Sequence, residues 1–339
     1  MNKQVKNILK FLFFLSIGIL LIWLAVHNKT PEEIQNIKLA VKQANYFWIG
    51  VSLVVTGLSH LFRAVRWRML LRPLGHKVKL SNTFFAVMVG YLANFALPRL
   101  GEVTRCGILT KYEKVPFTEG FGTVITERAL DLVCLIIIFF ATLALEFKRI
   151  SGIANDLIFS NFSEKIHNLM QKQMVVIIGG TILLLMVAAL FYFRKKIQTL
   201  ISGKAKNFII GIWDGLKSIA NVDKPILFIM HTVLIWTMYI LQVYVCFFAF
   251  GETSALAFSV AIVIVVFGSV GIIAVPGGTG AYQAIVIQIL TTVYLISGTI
   301  AFAFAWAVWT TQFVLILLLG LISLVLLAVL NKDKSEEVL

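Results

Sequence analysis

Residues 94–105 read NFALPRLGEVTR, so that a proline interrupts an apolar run and charged side chains follow it directly. A second stretch, residues 273–283 with the sequence IAVPGGTGAYQ, repeats the outline of a small apolar segment, a proline and a glycine. Proline and glycine open the backbone of a helix, and open backbone within a bilayer is tolerated only where it is buried in protein or lines a polar cavity. The two stretches therefore predict a pair of broken membrane helices that mark the site.

The composition places the chain among the multi-span membrane proteins. Hydrophobic residues make up 59% of the chain and charged residues 14%, whereas charge accounts for about a quarter of an ordinary soluble domain. The net charge of +14 lies mostly in a few loops between apolar runs, which is typical of cytoplasmic loops and argues against a nucleic-acid partner. Cys106, Cys134 and Cys246 show no CxxC spacing, so we expect packing residues and neither disulfides nor a metal site.

The pattern of apolar runs predicts an all-α, polytopic membrane helix bundle with about six full spans and two broken or re-entrant hairpins. Residues 30–44 begin with a capping box and carry proline at the first helical position, which predicts a short amphipathic surface helix. The expected spans are residues 11–26, 46–62, 117–147, 174–193, 225–250 and 298–330, and the expected hairpins are residues 83–109 and 255–296.

The distribution of basic residues predicts the orientation of the chain. If residues 83–97 crossed the membrane completely, the basic cluster at 194–196 would lie outside, against the positive-inside rule. If residues 83–109 instead form a hairpin that enters and returns, the clusters after residues 62 and 193 both lie inside. We therefore expect a multi-pass protein of the cytoplasmic membrane with both termini in the cytoplasm.

The second hairpin then enters from the opposite face, which makes the two halves of the chain inverted repeats, as in many transporters. The repeats are residues 46–147 and 225–330, within one membrane domain that covers residues 1–339. Between them, residues 194–224 are expected to form a basic cytoplasmic linker with an interfacial helix.

Charged side chains inside apolar sequence carry the strongest functional signal. An ionised side chain near the bilayer centre costs about 2.5–3.5 kcal/mol, so these groups are expected to be paired or hydrated. Glu102 and Arg105 are three residues apart, as are Arg128 and Asp131, which predicts pairing along each helix. One interpretation is an ion network that only joins two helices, and the other is a hydrated cavity whose arginines receive an anionic headgroup. The candidate residues are Arg99, Glu102, Arg105, Glu127, Arg128 and Asp131.

The glycines of the second break allow two interpretations. They are either a kink that lets helices approach closely or a nest of backbone amides suited to phosphate oxygens at the start of the next helix. The candidate residues at the two breaks are Pro98, Gly101, Pro276, Gly277, Gly278, Gly280 and Gln283.

Three segments, PRLGEVTR at 98–105, ERALD at 127–131 and PGGTG at 276–280, resemble in order and spacing the lysylphosphatidylglycerol synthase transmembrane, or flippase-like, domain family. The resemblance covers nearly the whole chain. It implies lipid flipping, with an anionic phospholipid or a polyprenyl-phosphate-linked lipid as the partner. The family usually carries Glu a few residues after the glycines, where this chain has Gln283. Nine residues follow Leu330, so we expect no aminoacyl-transfer domain and no lipid aminoacylation by this chain alone.

The alternative class is an integral membrane enzyme that acts on a lipid phosphate, such as a glycosyltransferase. Glu127 and Asp131 would then supply a general base or metal ligands. No histidine lies in a known catalytic spacing, so the sequence favours a transporter with no catalytic residue, cofactor or metal. A scaffold or channel without turnover is a third class. The sequence leaves open which lipid is bound, its direction of movement and whether the chain forms homo-oligomers.

Overall fold

The computed structural model describes residues 27, 29–96, 99–146, 218 and 221–332, and these residues form helices and no strands. The all-α prediction is confirmed. The predicted spans at 11–26 and 174–193 and the predicted interfacial helix of the 194–224 linker lie outside the described residues. The nine α helices of this part of the chain are α1 (Pro31–Gln43), α2 (Tyr46–Leu71), α3 (Leu80–Ala96), α4 (Leu100–Glu113), α5 (Phe117–Leu145), α6 (Pro225–Phe247), α7 (Phe258–Ala274), α8 (Ala281–Thr292) and α9 (Gly298–Leu330).

Three of these helices are long and apolar enough to cross a membrane. They are α2 with the 3₁₀ turn that follows it, α6 and α9, with mean hydropathies of 1.4, 1.9 and 3.3. Helix α2 continues past the predicted end of its span at residue 62 as far as Leu71. Helix α5 has 29 residues, with its charged side chains in the first half and an apolar second half. The described chain is therefore a bundle of membrane-length helices with shorter apolar helices between them.

The predicted surface helix is confirmed as α1. Thr30 Oγ1 accepts a hydrogen bond from the Glu33 amide at 3.2 Å, and Glu33 Oε2 accepts one from the Thr30 amide at 2.8 Å. This reciprocal capping box satisfies two amides that the first turn of a helix leaves unpaired. No residue of α1 is buried, and one side of the helix packs against α9.

Both predicted breaks form tight helical hairpins. Helices α3 and α4 pack so closely that a Cβ on Gly101 would lie 2.1 Å from the Gly90 carbonyl oxygen. Helices α7 and α8 approach similarly, since a Cβ on Gly271 would lie 2.7 Å from the Tyr282 amide nitrogen. Helix α4 continues to Glu113, past residue 109 where the predicted first hairpin ends. Glycine is needed at these crossings because any side chain would force the two backbones apart.

The two halves pack with the antiparallel geometry that an inverted repeat requires. Helices α2 and α6 run antiparallel, because Trp48 contacts Phe248 near one end and Arg66 contacts Thr232 near the other. Helix α3 packs on α9, and helix α7 packs on α5. Each hairpin thus lies against the last helix of the other half. The repeat boundaries at 46–147 and 225–330 stay a prediction.

Side-chain hydrogen bonds hold the start of each hairpin against the end of the long helix on which it packs. Asn82 at the start of α3 and Asn331 after α9 exchange two side-chain hydrogen bonds of 2.9 and 3.0 Å. At the start of the second hairpin, the Ser259 hydroxyl of α7 donates a hydrogen bond of 2.5 Å to the carboxylate of Glu146, the residue that follows α5. The larger apolar core lies in the second half, around Phe247, Ile264 and Phe304, and a smaller one surrounds the first hairpin.

Candidate functional site

Glu127 of α5 lies at the centre of a buried ion cluster in the first half of the chain. Its side chain has no exposed surface. Arg63 Nη1 and Arg66 Nη2, both from α2, donate to Glu127 Oε1 at 3.0 and 3.1 Å. From α4, Arg105 Nη1 lies 2.8 Å from Glu127 Oε2. One carboxylate therefore joins three helices through three guanidinium groups.

Asp131 extends the cluster by one helical turn. Its position four residues after Glu127 puts both carboxylates on one face of α5, as the spacing predicts. Arg63 Nη2 donates to Asp131 Oδ2 at 2.9 Å, and Arg66 Nη2 donates to Asp131 Oδ1 at 2.7 Å. Each of these two arginines is consequently held by two carboxylates at once, which fixes the direction of its guanidinium plane.

Helix α6 and an aromatic side chain complete the surroundings of the arginines. Arg63 Nε donates to the Tyr239 hydroxyl at 3.2 Å, and Arg66 Nη1 donates to Thr232 Oγ1 at 3.4 Å. The Arg105 guanidinium lies 4.7 Å from the centroid of the Trp67 ring, a cation–π distance. The cluster is thus formed at the meeting point of both halves of the chain.

The charges of this cluster do not cancel. Three arginines, Arg63, Arg66 and Arg105, are each at most 4% exposed, and they face only two carboxylates. The described part of the cluster carries a surplus of one positive charge. Arg105 Nε and Nη2 are buried and have no hydrogen-bond partner among the described residues. A buried, incompletely paired cation costs several kcal/mol, so the surplus favours binding of an anion.

A second ion pair lies beside the cluster, between the same two helices. Arg128 Nη2 of α5 lies 2.8 Å from Glu102 Oε1 of α4, and the Arg128 side chain is 42% exposed. The predicted pairing of Glu102 with Arg105 and of Arg128 with Asp131 is therefore wrong. Because the charged faces of α4 and α5 pack against each other, carboxylates and guanidiniums meet across the interface rather than along each helix.

Arg63 and Arg66 belong to the buried ion cluster and are not among the candidate residues that the sequence analysis singles out. They were expected to belong to the basic cytoplasmic segment after residue 62, and this expectation is wrong because both are buried on the carboxylates of α5. A signal for their burial exists in the sequence. Polar residues recur every three or four positions along α2 and form a buried polar stripe made of Ser52, Thr56, Ser59, Arg63 and Arg66.

The tip of the first hairpin lies apart from the ion cluster. Pro98 is outside the described residues, and Arg99 is exposed, has a φ of 61° and forms no ion pair within the described chain. Gly101 is buried, and its amide donates to Asn94 Oδ1 at 2.7 Å. The structure therefore gives Gly101 a packing role and separates Arg99 from Arg105.

The glycines of the second break are held by local contacts. Gly277, Gly278 and Gly280 have φ angles of 65°, 70° and 79°, a region that favours glycine. The Gly278 amide donates to the Val275 carbonyl at 2.8 Å, and the Gly277 carbonyl accepts from Trp309 Nε1 at 2.8 Å. The Gly278 amide is thus already engaged, which contradicts an open nest of successive glycine amides at this point.

The tips of the two hairpins meet. A Cβ on Gly277 would lie 2.3 Å from the Phe95 ring at the end of α3, so Phe95 packs directly on this glycine. The 3₁₀ turn Pro276–Gly278 forms the tip of the second hairpin. Gln283, one turn further on, is 1% exposed, and its amide nitrogen and oxygen have no partner among the described residues.

A metal site is not visible in the part of the chain that the structure describes. No three His, Cys, Asp or Glu side chains of the described residues converge. Glu127 and Asp131 each receive hydrogen bonds from arginines. The three cysteines are free, and two of them, Cys106 and Cys246, are buried, as expected of packing residues.

These features define a polytopic helical membrane protein with two facing hairpins and an arginine-rich buried ion cluster. The family described as "Lysylphosphatidylglycerol synthase TM region" matches residues 7–320, and the chain belongs to this family.

Two curated relatives are similar over part of the chain. The UPF0104 membrane protein MJ1595 of Methanocaldococcus jannaschii is 27% identical over 108 residues, which cover 31% of this chain and 32% of that protein. Glycosyltransferase AglD of Haloferax volcanii is 27% identical over 120 residues, 34% of this chain and 19% of that protein. The matched segments thus span a third or less of these relatives. No solved structure matches the chain.

Proposed function

We propose that this protein binds the anionic headgroup of a lipid at the buried ion cluster and moves the lipid across the cytoplasmic membrane. The observation that carries the proposal is the surplus positive charge of the cluster, together with the unpartnered Nε and Nη2 of Arg105. A phosphate or phosphodiester group presents two oxygens in the geometry that a guanidinium binds best. Membership of the family, named for a lipid synthase, supports a lipid as the source of that group.

The three arginines have different parts in this proposal. Arg63 and Arg66 each bind both carboxylates and hold the cluster together. Among the described residues Arg105 forms an ion pair with Glu127 alone, lies on the hairpin helix α4 and has two donors without a partner. We assign the headgroup contact to Arg105 because a bound anion would complete its hydrogen bonds without taking a carboxylate from another arginine.

The relative named as a glycosyltransferase keeps an enzyme as the second candidate. The contacts of the two carboxylates argue against it, since Glu127 and Asp131 each accept hydrogen bonds from arginine guanidiniums at the oxygens that a general base or a metal ligand would use. A glycosyltransferase would require an activated sugar donor. Lipid movement in liposomes without a sugar donor or a divalent cation would separate the two candidates.

Arg105→Gln is expected to reduce lipid translocation about 10- to 100-fold, which corresponds to the ~1.5–3 kcal/mol of a charge-assisted hydrogen bond. The protein should still purify as a folded species, because Glu127 keeps its contacts with Arg63 and Arg66. The measurement is the rate at which a fluorescent phosphatidylglycerol becomes accessible to a membrane-impermeant quencher in proteoliposomes. The exposed Lys111→Gln on the same helix is the matched control. Equal rates for the wild type and the Arg105 variant would contradict the proposal.

A further inference from the structure

A basic pocket lies where the end of α2 faces the start of α6. It comprises a cavity of about 470 Å³ and an adjoining one of about 120 Å³, and both are bordered by Arg68, Arg72 and Asp223. Lys77 borders the larger cavity and Lys224 the smaller one. Within the described chain, four basic side chains and one carboxylate therefore border an opening between two membrane-length helices.

The cations of this pocket are available to a ligand. Arg68 near the end of α2 and Arg72 directly after the helix are four positions apart and border the same two cavities, so their guanidiniums can bind one group together. Within the described residues neither of them forms an ion pair. This distinguishes them from Arg63 and Arg66 on the same helix, which are buried and held by carboxylates. Basic pockets between membrane helices are typical binding sites for phosphorylated lipid headgroups.

An apolar layer separates the basic pocket from the buried ion cluster. Met69 borders the pocket and packs with Leu70 and Phe228 in one apolar cluster. The carbonyl of Phe228 accepts the hydrogen bond of Thr232, whose hydroxyl in turn accepts from Arg66. The pocket and the ion cluster are therefore neighbours along α2 and α6, with one layer of apolar side chains between them.

We infer that this pocket is a separate binding site for a phosphate ester, which holds the headgroup before it reaches the buried cluster. The inference rests on the proposed function for the source of the phosphate, a lipid headgroup. A free phosphate ion carries the same charged oxygens as a lipid headgroup and could bind in the same pocket. The experiment below separates these two sources of phosphate. In this scheme the pocket determines the affinity for the headgroup, whereas Arg105 determines the rate of its movement.

The kinetic arm compares translocation of phosphatidylglycerol at increasing mole fraction in proteoliposomes. Arg68→Gln and Arg72→Gln should each raise the half-saturating mole fraction about tenfold and leave the maximal rate unchanged, since a lost charge-assisted contact costs about 1.5 kcal/mol. Asp223→Asn should lower the half-saturating mole fraction, because Asp223, the carboxylate that borders the pocket within the described chain, is then replaced by a neutral amide. The exposed Lys79→Gln, in the same segment but outside the pocket, is the control. A lower maximal rate with unchanged half-saturation in the two arginine variants would overturn the inference.

The binding arm uses the purified full chain and measures its association with phosphatidylglycerol vesicles and with inorganic phosphate. Weaker binding of vesicles to the Arg68 and Arg72 variants, relative to Lys79→Gln, supports a lipid-headgroup site. Weaker binding of inorganic phosphate alone supports a phosphate site for a soluble ligand. Unchanged binding of both probes overturns the site. This arm also distinguishes the two proposals, because it reports on the pocket even if the wild type moves no lipid.

Discussion

Glu127→Ala is expected to be among the most destabilising single substitutions in the described chain, with a loss of about 3–5 kcal/mol in stability. The physical reason is that the change removes the carboxylate shared by Arg63, Arg66 and Arg105 and leaves these buried cations with Asp131 as their only carboxylate among the described residues. Burial is what makes the effect large, since the Glu127 side chain has no exposed surface. The measurement is the midpoint of thermal unfolding of the purified protein in detergent.

The matched control for Glu127 is Glu102→Ala on the neighbouring helix. Glu102 also pairs with an arginine, but its partner Arg128 is 42% exposed, and pairs of this kind contribute about 0–1 kcal/mol. A fall in the unfolding midpoint for Glu127→Ala that is no larger than the fall for Glu102→Ala would show that the cluster does not hold α2, α4 and α5 together.

Gly101→Ala is expected to disrupt the first hairpin. The added methyl group would lie 2.1 Å from the Gly90 carbonyl oxygen and 2.7 Å from the Asn94 side chain, so α3 and α4 would have to separate. Overpacking of this kind costs about 1–3 kcal/mol and more where backbone blocks the added atom. Separation would also move Arg105 away from Glu127, because both Gly101 and Arg105 lie on α4. We expect lower thermal stability together with loss of lipid translocation.

Gly107→Ala provides the control within the same helix. A methyl group there would meet no atom within 4 Å, and alanine in a helix is favoured over glycine by about 1 kcal/mol. This variant should be at least as stable as the wild type. If the Gly101 and Gly107 variants have the same unfolding midpoint, the close contact of the two hairpin helices is not needed for the fold.

The hairpins were predictable because proline and glycine interrupt apolar sequence in only a few places. Residues 94–105 and 273–283 both combine such an interruption with flanking segments that are short for a crossing, and the structure places a hairpin at each. The carboxylates of the site were predictable for a similar reason. Glu127 and Asp131 lie inside a long apolar helix, where an ionised group needs a partner.

The partners of these carboxylates could not be predicted from spacing alone. Arg63 and Arg66 follow an apolar run, and basic residues in that position usually flank a span in the cytoplasm. Their place in the cluster depends on the continuation of α2 to Leu71 and on the packing of α2 against α5. The packing is a feature of the tertiary structure that local sequence does not reveal. The buried polar stripe on α2 is the feature of the sequence that distinguishes these arginines from Arg68 and Arg72.

The role of the glycines was equally ambiguous in sequence. A proline followed by glycines fits both a close helix approach and an anion nest, since both need backbone without side chains. The contacts of Phe95 and Trp309 with Gly277 favour close approach, and they involve residues far away in the chain. For Gln283, burial without a partner among the described residues is a structural observation that no sequence pattern provides.

The most direct test of the central claim is native mass spectrometry of the protein purified from membranes that contain both anionic and zwitterionic phospholipids. The comparison is made in a chain that carries Arg68→Gln and Arg72→Gln, so that the basic pocket does not hold the lipid. If the surplus positive charge at Arg105 binds a headgroup, this chain should retain an anionic lipid that it keeps when Lys111→Gln is added and loses when Arg105→Gln is added. The same anionic lipid retained after Arg105→Gln is added, or no preference for anionic over zwitterionic lipid before it is added, would contradict a headgroup site at the buried cluster.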